Sequence, residues 1–403
     1  MTNKRKQNKR VVKLAAKQSD KQTTPANTIG NQRPSALPKS VRKPVYQTRQ
    51  DIADWHRAVY MATAVDTPRQ YLLQDIYNGV ANDALLTSQV NNRKEQTISA
   101  GFEMLTSEGK IDEKLTAAIS ELPIMQDIIS HILDSEYFGF SLIQLSSENG
   151  IKRVDLINRR NVVPDFGLYY PDTSTSIAYN YRELRDFGKY YLEFNSDHIG
   201  LFNKAVPHVL FKKFAQSCWS MLCEIYGIPP RVLKTNTQDP IMLDRAEKMM
   251  NDIGAAAWFI IDESEEFSFA NSVNTTGDVY NNLIKLCDNY ISMLITGAII
   301  GQDTKNGNES KEKVSISILD RLVDSDKRMV EMYMNSVVIP AFVRLKWIPE
   351  TSARFKFKVA EDTDKLFDMT VKIMPHMEID PEFVAEKFGI KVLGNKNAIS
   401  NFQ

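Results

Sequence analysis

Histidine and cysteine are scarce in this chain of 403 residues, with five of the first and three of the second. That leaves little material for a metal centre or for thiol chemistry. No histidine stands near a second histidine or a cysteine at ligand spacing, and Cys218 and Cys223 have no neighbouring histidine to complete a zinc set. Three cysteines cannot all pair with one another. Cys218, Cys223 and Cys287 lie in apolar helical surroundings, so each is expected to be a small buried hydrophobe in a reducing compartment. The Walker A phosphate loop, the G-x-S-x-G elbow, H-E-x-x-H and the dinucleotide glycine fingerprint are all missing. The nearest approach, GIPPRVLK from Gly227 to Lys234, has too few glycines to cradle phosphate. No acid pair sits in an apolar setting that would raise a pKa for acid–base work. An enzyme is not expected, and no cofactor or metal is implied.

Long apolar runs are missing too. Without about eighteen consecutive apolar residues no membrane span is expected, and a basic start without an apolar stretch is not a secretory signal.

What is present is ordinary in bulk and uneven in distribution. Hydrophobic residues make up 43% and charged residues 25%, enough for a sizeable core. The formal net charge of zero hides an asymmetry, because residues 1–49 hold thirteen Lys or Arg against one acid, Asp20. The remainder is correspondingly acidic. The basic arm, including Lys4, Arg5, Lys6, Lys9 and Arg10, is too polar to bury a core and is expected to be disordered. It reads either as a solubilising tail or as an arm that contacts DNA or another polyanion.

From Gln50 the pattern becomes helical. DIADWHRAVYMATA forms a first helix, and Asp66-Thr67-Pro68 should cap a second, with Pro68 at its first position. A third runs to about Ala100 and turns through Gly101 into the strand FEML. Two helices broken at Pro123 and a strand from Phe140 to Leu145 follow, then a hairpin turn at Ser146–Gly150 and further strands. The block to residue 205 reads as an α+β domain with helices on one side of a mixed sheet. His131 is a core or boundary histidine, and Arg153, Arg159 and Arg160 read as solvated strand ends or as phosphate contacts.

The stretch Pro207–Gly301 organises the rest. A helix starting at Pro207 stops at Gly227-Ile228-Pro229-Pro230. RVLKTN is a strand, PIMLDRAEKMMNDIG an amphipathic helix, and AAAWFIIDESEEFSFAN a β-hairpin turning at Glu263–Glu266. Crowded acids without interleaved Gly or Asn make a poor cation loop, so DESEE is expected to be solvated or to face a partner. A second helix, apolar on more than one face, starts near Thr276 and ends at Gly297–Gly301. QDTKNGNESKEK (302–313) is expected to be an exposed loop. A long helix from about Val314 to Val343, an alternating strand ARFKFKV and two terminal helices, about 362–375 and 381–388, complete the chain.

Four stretches, in order, carry a family likeness. TPRQYLLQDIYNGVANDALLTSQVNNRKEQTISAGFEML, with Arg93 and Lys94, is similar to the opening of Mu-like phage portal proteins. SEYFGFSLIQL resembles their Gly-aromatic-Ser passage from helix to strand through Gly139, Phe140 and Ser141. FAQSCWSMLCEIYGIPPRVLK resembles a signature met here by Trp219, Glu224, Tyr226, Gly227, Pro229, Arg231 and Lys234. VYNNLIKLCDNYISMLITGAIIGQD resembles the following helix through Cys287, Asp288, Ile291, Ser292, Ile295 and Gly297. Two departures stand out: a polar loop replaces the family's Thr- and Gly-rich one, and the basic arm is extra.

The resemblance implies an α+β portal fold, with an α/β wing, a two-helix stem, a small α/β clip, a tunnel loop and a short helical crown. On this chain those would be 50–205 completed by 314–359 (wing), 206–226 and 276–300 (stem), 227–275 (clip), 301–313 (tunnel loop) and 360–403 (crown). It implies a homo-oligomeric ring, typically a dodecamer, at the unique vertex of a tailed-phage capsid, assembled in the host cytoplasm. Double-stranded DNA would pass through the channel during packaging and ejection. The terminase large subunit, the major capsid or scaffold protein and a head-tail adaptor would be partners, with no membrane involved. Lys305, Asn306, Asn308, Lys311 and Lys313 would face the channel, and Arg245, Lys248, Glu263, Glu265 and Glu266 the docking proteins. The competing expectation is a non-enzymatic nucleic-acid-binding or assembly factor acting through the arm.

Overall fold

The computed structural model describes residues 36–40, 51–196, 199–227, 231–252, 258–266, 278–299, 309–358 and 363–374, with short pieces at 379–380, 384–385 and 388–389. The arm residues Lys4, Arg5, Lys6, Lys9 and Arg10, the loop residues Lys305, Asn306 and Asn308, and most of the last helix expected lie outside the described residues.

The fold is α+β. Helices α1 (Ile52–Ala62), α2 (Tyr71–Val80) and α3 (Ala84–Ile98) lead into β1 (Phe102–Leu105). Then come α4 (Glu113–Ser120), α5 (Met125–Phe138), β2 (Phe140–Glu148), β3 (Ile151–Leu156), β4 (Val162–Val163), β5 (Leu168–Tyr169), β6 (Tyr179–Asn180) and β7 (Tyr191–Asn195). Asp51, Asp83 and Asp112 each accept a hydrogen bond from the helix they precede, which fixes the starts of α1, α3 and α4. The expected cap at Asp66–Pro68 is not used. Arg69 N–H donates to the Met61 carbonyl at 2.9 Å, closing the connection from α1, and α2 begins later, at Tyr71.

The strands form separate small sheets in place of one mixed sheet. β1 pairs antiparallel with β10 (Arg354–Phe357), β2 lies between β3 and β7, and β5 lies between β4 and β6. The β2–β3 register closes on Asn149-Gly150, both at positive φ, a turn that matches strand twist. Short strands and helices then share the burial. One core gathers α4, α5 and β2 with the later helices, through Ile128, Ile132, Ile143, Leu192, Val330 and Phe342.

A 27-residue helix, α6 (Leu201–Gly227), follows. It starts six residues before Pro207, which lies inside it. An interior proline costs about 3 kcal/mol. Burial of Phe202, Val206 and Val209 against Leu73, Tyr77 and Val80 offsets that, at about 1.5–3 kcal/mol per large side chain. β8 (Arg231–Thr235), α7 (Pro240–Asp252) and β9 (Trp258–Asp262) make a βαβ module whose two strands are parallel. Of the expected β-hairpin, the structure describes the first strand and the turn. β9 pairs with β8 across the helix, Arg231 opposite Trp258 and Thr235 opposite Asp262. The second strand expected after Glu266 lies outside the described residues.

α8 (Asp278–Thr296) returns, and α9 (Glu309–Tyr333) follows. α9 starts inside the stretch expected to be a loop. Glu and Lys at 309–313 are good helix formers, so polarity there does not exclude a helix. The long helix is not uniform: Met334–Val338 is a π turn, with Ile339 N–H donating to the Met334 carbonyl, before α10 (Ile339–Arg344). Pro340, which has no N–H to donate, stands just beyond it. From this segment Asn335 Oδ1 accepts the Phe355 N–H at 2.7 Å and Glu331 accepts the Phe357 N–H at 2.9 Å, so side chains take up the outer edge of β10. α11 (Thr363–Ile373) is the last helix described in full.

Candidate functional site

The feature that sets this chain apart from a closed globule is the hairpin of α6 and α8 with the βαβ module between them. At 27 residues α6 spans about 40 Å. Its two ends live in different surroundings.

The base is rooted. Val206 and Val209 of α6 and Ile291 and Ile295 of α8 are buried in a cluster with α1 and α2. Polar ties reinforce it. Lys212 of α6, only 6% exposed, contacts Asp288 of α8 at 2.6 Å and Asp83, the cap of α3, at 2.9 Å. Burial pushes Lys212 down, but hydrogen bonds and charges from Asp288 and Asp83 outweigh it and leave the amine above the ordinary lysine value. Arg93 of α3 makes a fork, with Nε and Nη2 each donating to Asp326 of α9 at 2.7 Å. Its Nη1 donates to the Ile295 carbonyl at 2.8 Å, so one guanidinium joins α3, α8 and α9. Burial holds Asp326 above the ordinary carboxyl value against the pull of Arg93, whereas hydrogen bonding to Asp326 raises Arg93 against its own desolvation. The two shifts pull opposite ways, and the bidentate geometry decides for an ionised pair.

The end of α8 is clasped. Gly297 has φ 74, and a Cβ there would stand 2.6 Å from Ile318 of α9. Ser292 Oγ and Thr296 Oγ1 donate to the Ala298 carbonyl at 2.9 and 2.8 Å. Residues singled out by resemblance thus acquire reasons: Asp288 pairs with Lys212, Ser292 holds the turn, and Gly297 supplies the left-handed conformation. Gly139, at φ 92, likewise lets α5 turn into β2, and Ser141 Oγ accepts from Arg159 at 2.8 Å.

Beyond Ala215 no described side chain of α6 is buried. Phe214 is 50% exposed, Met221 52%, Leu286 48% and Tyr290 44%. His208 stacks on Tyr290 at 4.9 Å, and burial lowers the His208 pKa. Of the cysteines, Cys287 is buried, Cys218 half-buried and Cys223 exposed, which corrects the expectation that all three are core.

The charged residues expected at the module separate into two places. Arg245 and Lys248 stand on the solvent face of α7, Lys248 paired with Asp244 at 2.5 Å. Glu263, Glu265 and Glu266 follow β9 and are exposed. Asp262 there accepts from Thr237 Oγ1 and from Ser264 Oγ, both at 2.7 Å, and hydrogen bonds from Ser264 and then Thr237 hold its carboxyl well below the usual range. No group of three or more His, Cys, Asp or Glu that could hold a metal ion occurs among the described residues. Lys311 and Lys313 belong to the first turns of α9, not to a loop, and Lys313 is exposed.

Arg159 and Arg160 are neither solvated nor free for phosphate. Arg159 donates to the Phe140 carbonyl at 3.0 Å and lies 3.4 Å from Asp134, and Arg160 pairs with Asp75 at 2.7 Å. Arg153, by contrast, is exposed, 3.7 Å from Glu148. The ties through Lys212, Asp83, Arg93 and Asp326 escaped the sequence reading. The one local signal was a lysine, Lys212, inside the apolar run VLFKKF.

The family model for the portal protein of Mu bacteriophage matches residues 74–390. The chain belongs to that family. Two solved structures are similar to this portal-family chain. A chain from the neck of an empty GTA particle is 12% identical, with a TM-score of 0.47, over 82% of this chain and 97% of that one. An HK97-family phage portal protein from Corynebacterium diphtheriae is 10% identical, with a TM-score of 0.40, over 75% of this chain and 97% of that one. No curated protein matches the sequence. Among the described residues of this portal-family protein, no helix is long and apolar enough to cross a membrane.

Proposed function

We propose that the chain is the subunit of a portal ring at the unique vertex of a tailed-phage capsid, a channel through which double-stranded DNA is packaged and ejected. In this reading α6 and α8 are the stem, the βαβ module within 227–275 is the clip, and 50–205 with 314–359 is the wing. Residues 301–313 are the tunnel segment, and 360–403 the crown. Family membership supports the portal role. The observation that carries the ring is the distal half of the hairpin, where Phe214, Met221, Val279 and Leu286 face solvent in a single chain. A helix pair apolar on its outer sides needs neighbours, and copies of itself around an axis supply them. Catalytic residues are not required, because portal-family proteins are structural.

The clip would present Arg245, Lys248, Glu263, Glu265 and Glu266 to the terminase large subunit and later to a head-tail adaptor. Lys305, Lys311 and Lys313 would approach DNA from 301–313, few enough charges to let the duplex slide, since each tight phosphate contact adds hold. Twelve copies is the number the family resemblance implies. Mass measurement with negative-stain microscopy tests the reading: rings near twelve times 45.9 kDa with a duplex-wide hole are expected. A monomer or dimer at all concentrations, binding DNA through the arm, would instead favour a nucleic-acid-binding assembly factor.

A further inference from the structure

Residues 36–40 form a short extended segment against a part of the body remote in sequence. Leu37 N–H donates to the Tyr191 hydroxyl at 3.2 Å, across 154 positions. The Tyr169 hydroxyl donates to the Pro38 carbonyl at 3.1 Å and also hydrogen-bonds Ser40. The Leu37 side chain packs on a buried cluster that includes Phe140, Leu142, Tyr181 and Leu184. Leu37 and Pro38 are half-buried, whereas Ala36, Lys39 and Ser40 are exposed, so two residues enter and the flanks stay outside.

The chemistry suits those two residue types. Proline brings no N–H to the apolar floor and holds the residue before it extended, so the segment arrives with little freedom to lose and no orphan donor. Tyr169 is 3% and Tyr191 2% exposed, and the arm segment supplies hydrogen-bond partners to both hydroxyls. A buried phenol left unpaired is costly, so these two tyrosines make a built slot.

We propose that this tyrosine slot is a docking site for an extended Leu-Pro peptide, occupied by the chain's own Leu37–Pro38. It anchors the basic arm to this face of the body. The arm that carries Lys4, Arg5, Lys6, Lys9 and Arg10 then departs from the slot and not from α1. Pinning the arm at Leu37, thirteen residues before Gln50, shortens its greatest reach by about 45 Å. The inference is independent of the ring, because it concerns one subunit.

Limited trypsin digestion of the full-length protein tests it. Cleavage after Lys39 is expected to be at least tenfold slower than after Lys21, and Leu37→Asp is expected to bring the two rates together. Tyr191→Phe, which keeps the ring and removes only the hydroxyl, should lose part of the protection while far-UV circular dichroism stays unchanged. A fluorescent peptide spanning residues 32–43 is expected to bind the Leu37→Asp protein, whose slot is empty, and not the wild type. Equal cleavage after Lys39 and Lys21 in the wild type, or no peptide binding to the Leu37→Asp protein, overturns the proposal.

Discussion

The two halves of the α6–α8 hairpin are built on opposite principles. Near the body, Val206, Val209, Ile291 and Ile295 are buried, and Lys212 and Arg93 are each held by more than one partner. Toward the module the same helices carry Phe214, Met221, Val279 and Leu286 with much of their surface in water. One subunit finishes the first half by itself. The second half is apolar without being covered, and its stability belongs to whatever lies against it. A substitution should therefore act on the fold of the chain at the root and on association at the tip.

The largest expected effect is at the root. Arg93→Ala strands Asp326 in a buried site and releases the Ile295 carbonyl, and loss of one partner from a buried pair costs about 3–5 kcal/mol. The urea midpoint of the subunit should fall accordingly, and an unchanged midpoint would break the comparison. Lys212→Ala should follow it closely, with a sharper signature at high pH. The Lys212 pKa is raised in the folded chain, so its contribution is present below the ordinary lysine value and lost as pH rises through the folded one. Wild type should thus destabilise more steeply than Lys212→Ala in alkaline solution.

Asp134 gives an intermediate, acid-side test in the body. Burial pushes its carboxyl up, but His131, 3.9 Å away, and the charges of Lys94 and Arg159 outweigh it and hold it well below the ordinary value. A depressed folded pKa means the stabilisation is complete above the unfolded value, about 3.9, and drains away as pH falls below it. Wild type should lose stability faster than Asp134→Asn in that range, as read by unfolding midpoints. Ile291→Val removes one buried methylene, for a loss of about 0.5–1.5 kcal/mol. Phe214→Asp should be the smallest in the isolated subunit, within about 0.5 kcal/mol of wild type, yet should shift the mass distribution toward single chains. A full-size ring from the Phe214→Asp protein would remove the distinction between root and tip.

Much of the chain was legible from periodicity and punctuation. The helices around Trp55, Leu73, Val90 and Ile128, the break at Pro123 and the Asn149-Gly150 turn follow local rules and stand where those rules put them. The misses share a cause: a non-local contact overrode a local signal. Pro207 reads as a helix start, but Phe202 and Val206 have a core to enter, so the helix begins six residues earlier. WFIID reads as one strand of a local hairpin, and its pairing with β8, on the far side of a helix, was not foreseen. Arg159 looks like a solvated strand end because nothing nearby in sequence announces Asp134 or the Phe140 carbonyl. For the hairpin, the apolar faces were visible in the sequence. The ion pairs that root it were not, since Asp83, Lys212 and Asp288 meet only after folding.

The outer edge of β10 bears on how copies of this chain can meet. A bare strand edge is a template on which another strand can grow, and repeated growth ends in fibres. Here Asn335 and Glu331 engage the outward N–H groups of Phe355 and Phe357, and Asn335 also donates to the Phe355 carbonyl at 2.9 Å. Three of that edge's outward groups are thus already engaged. Losing the Asn335 amide would reopen two of those positions, at Phe355, to a visiting strand.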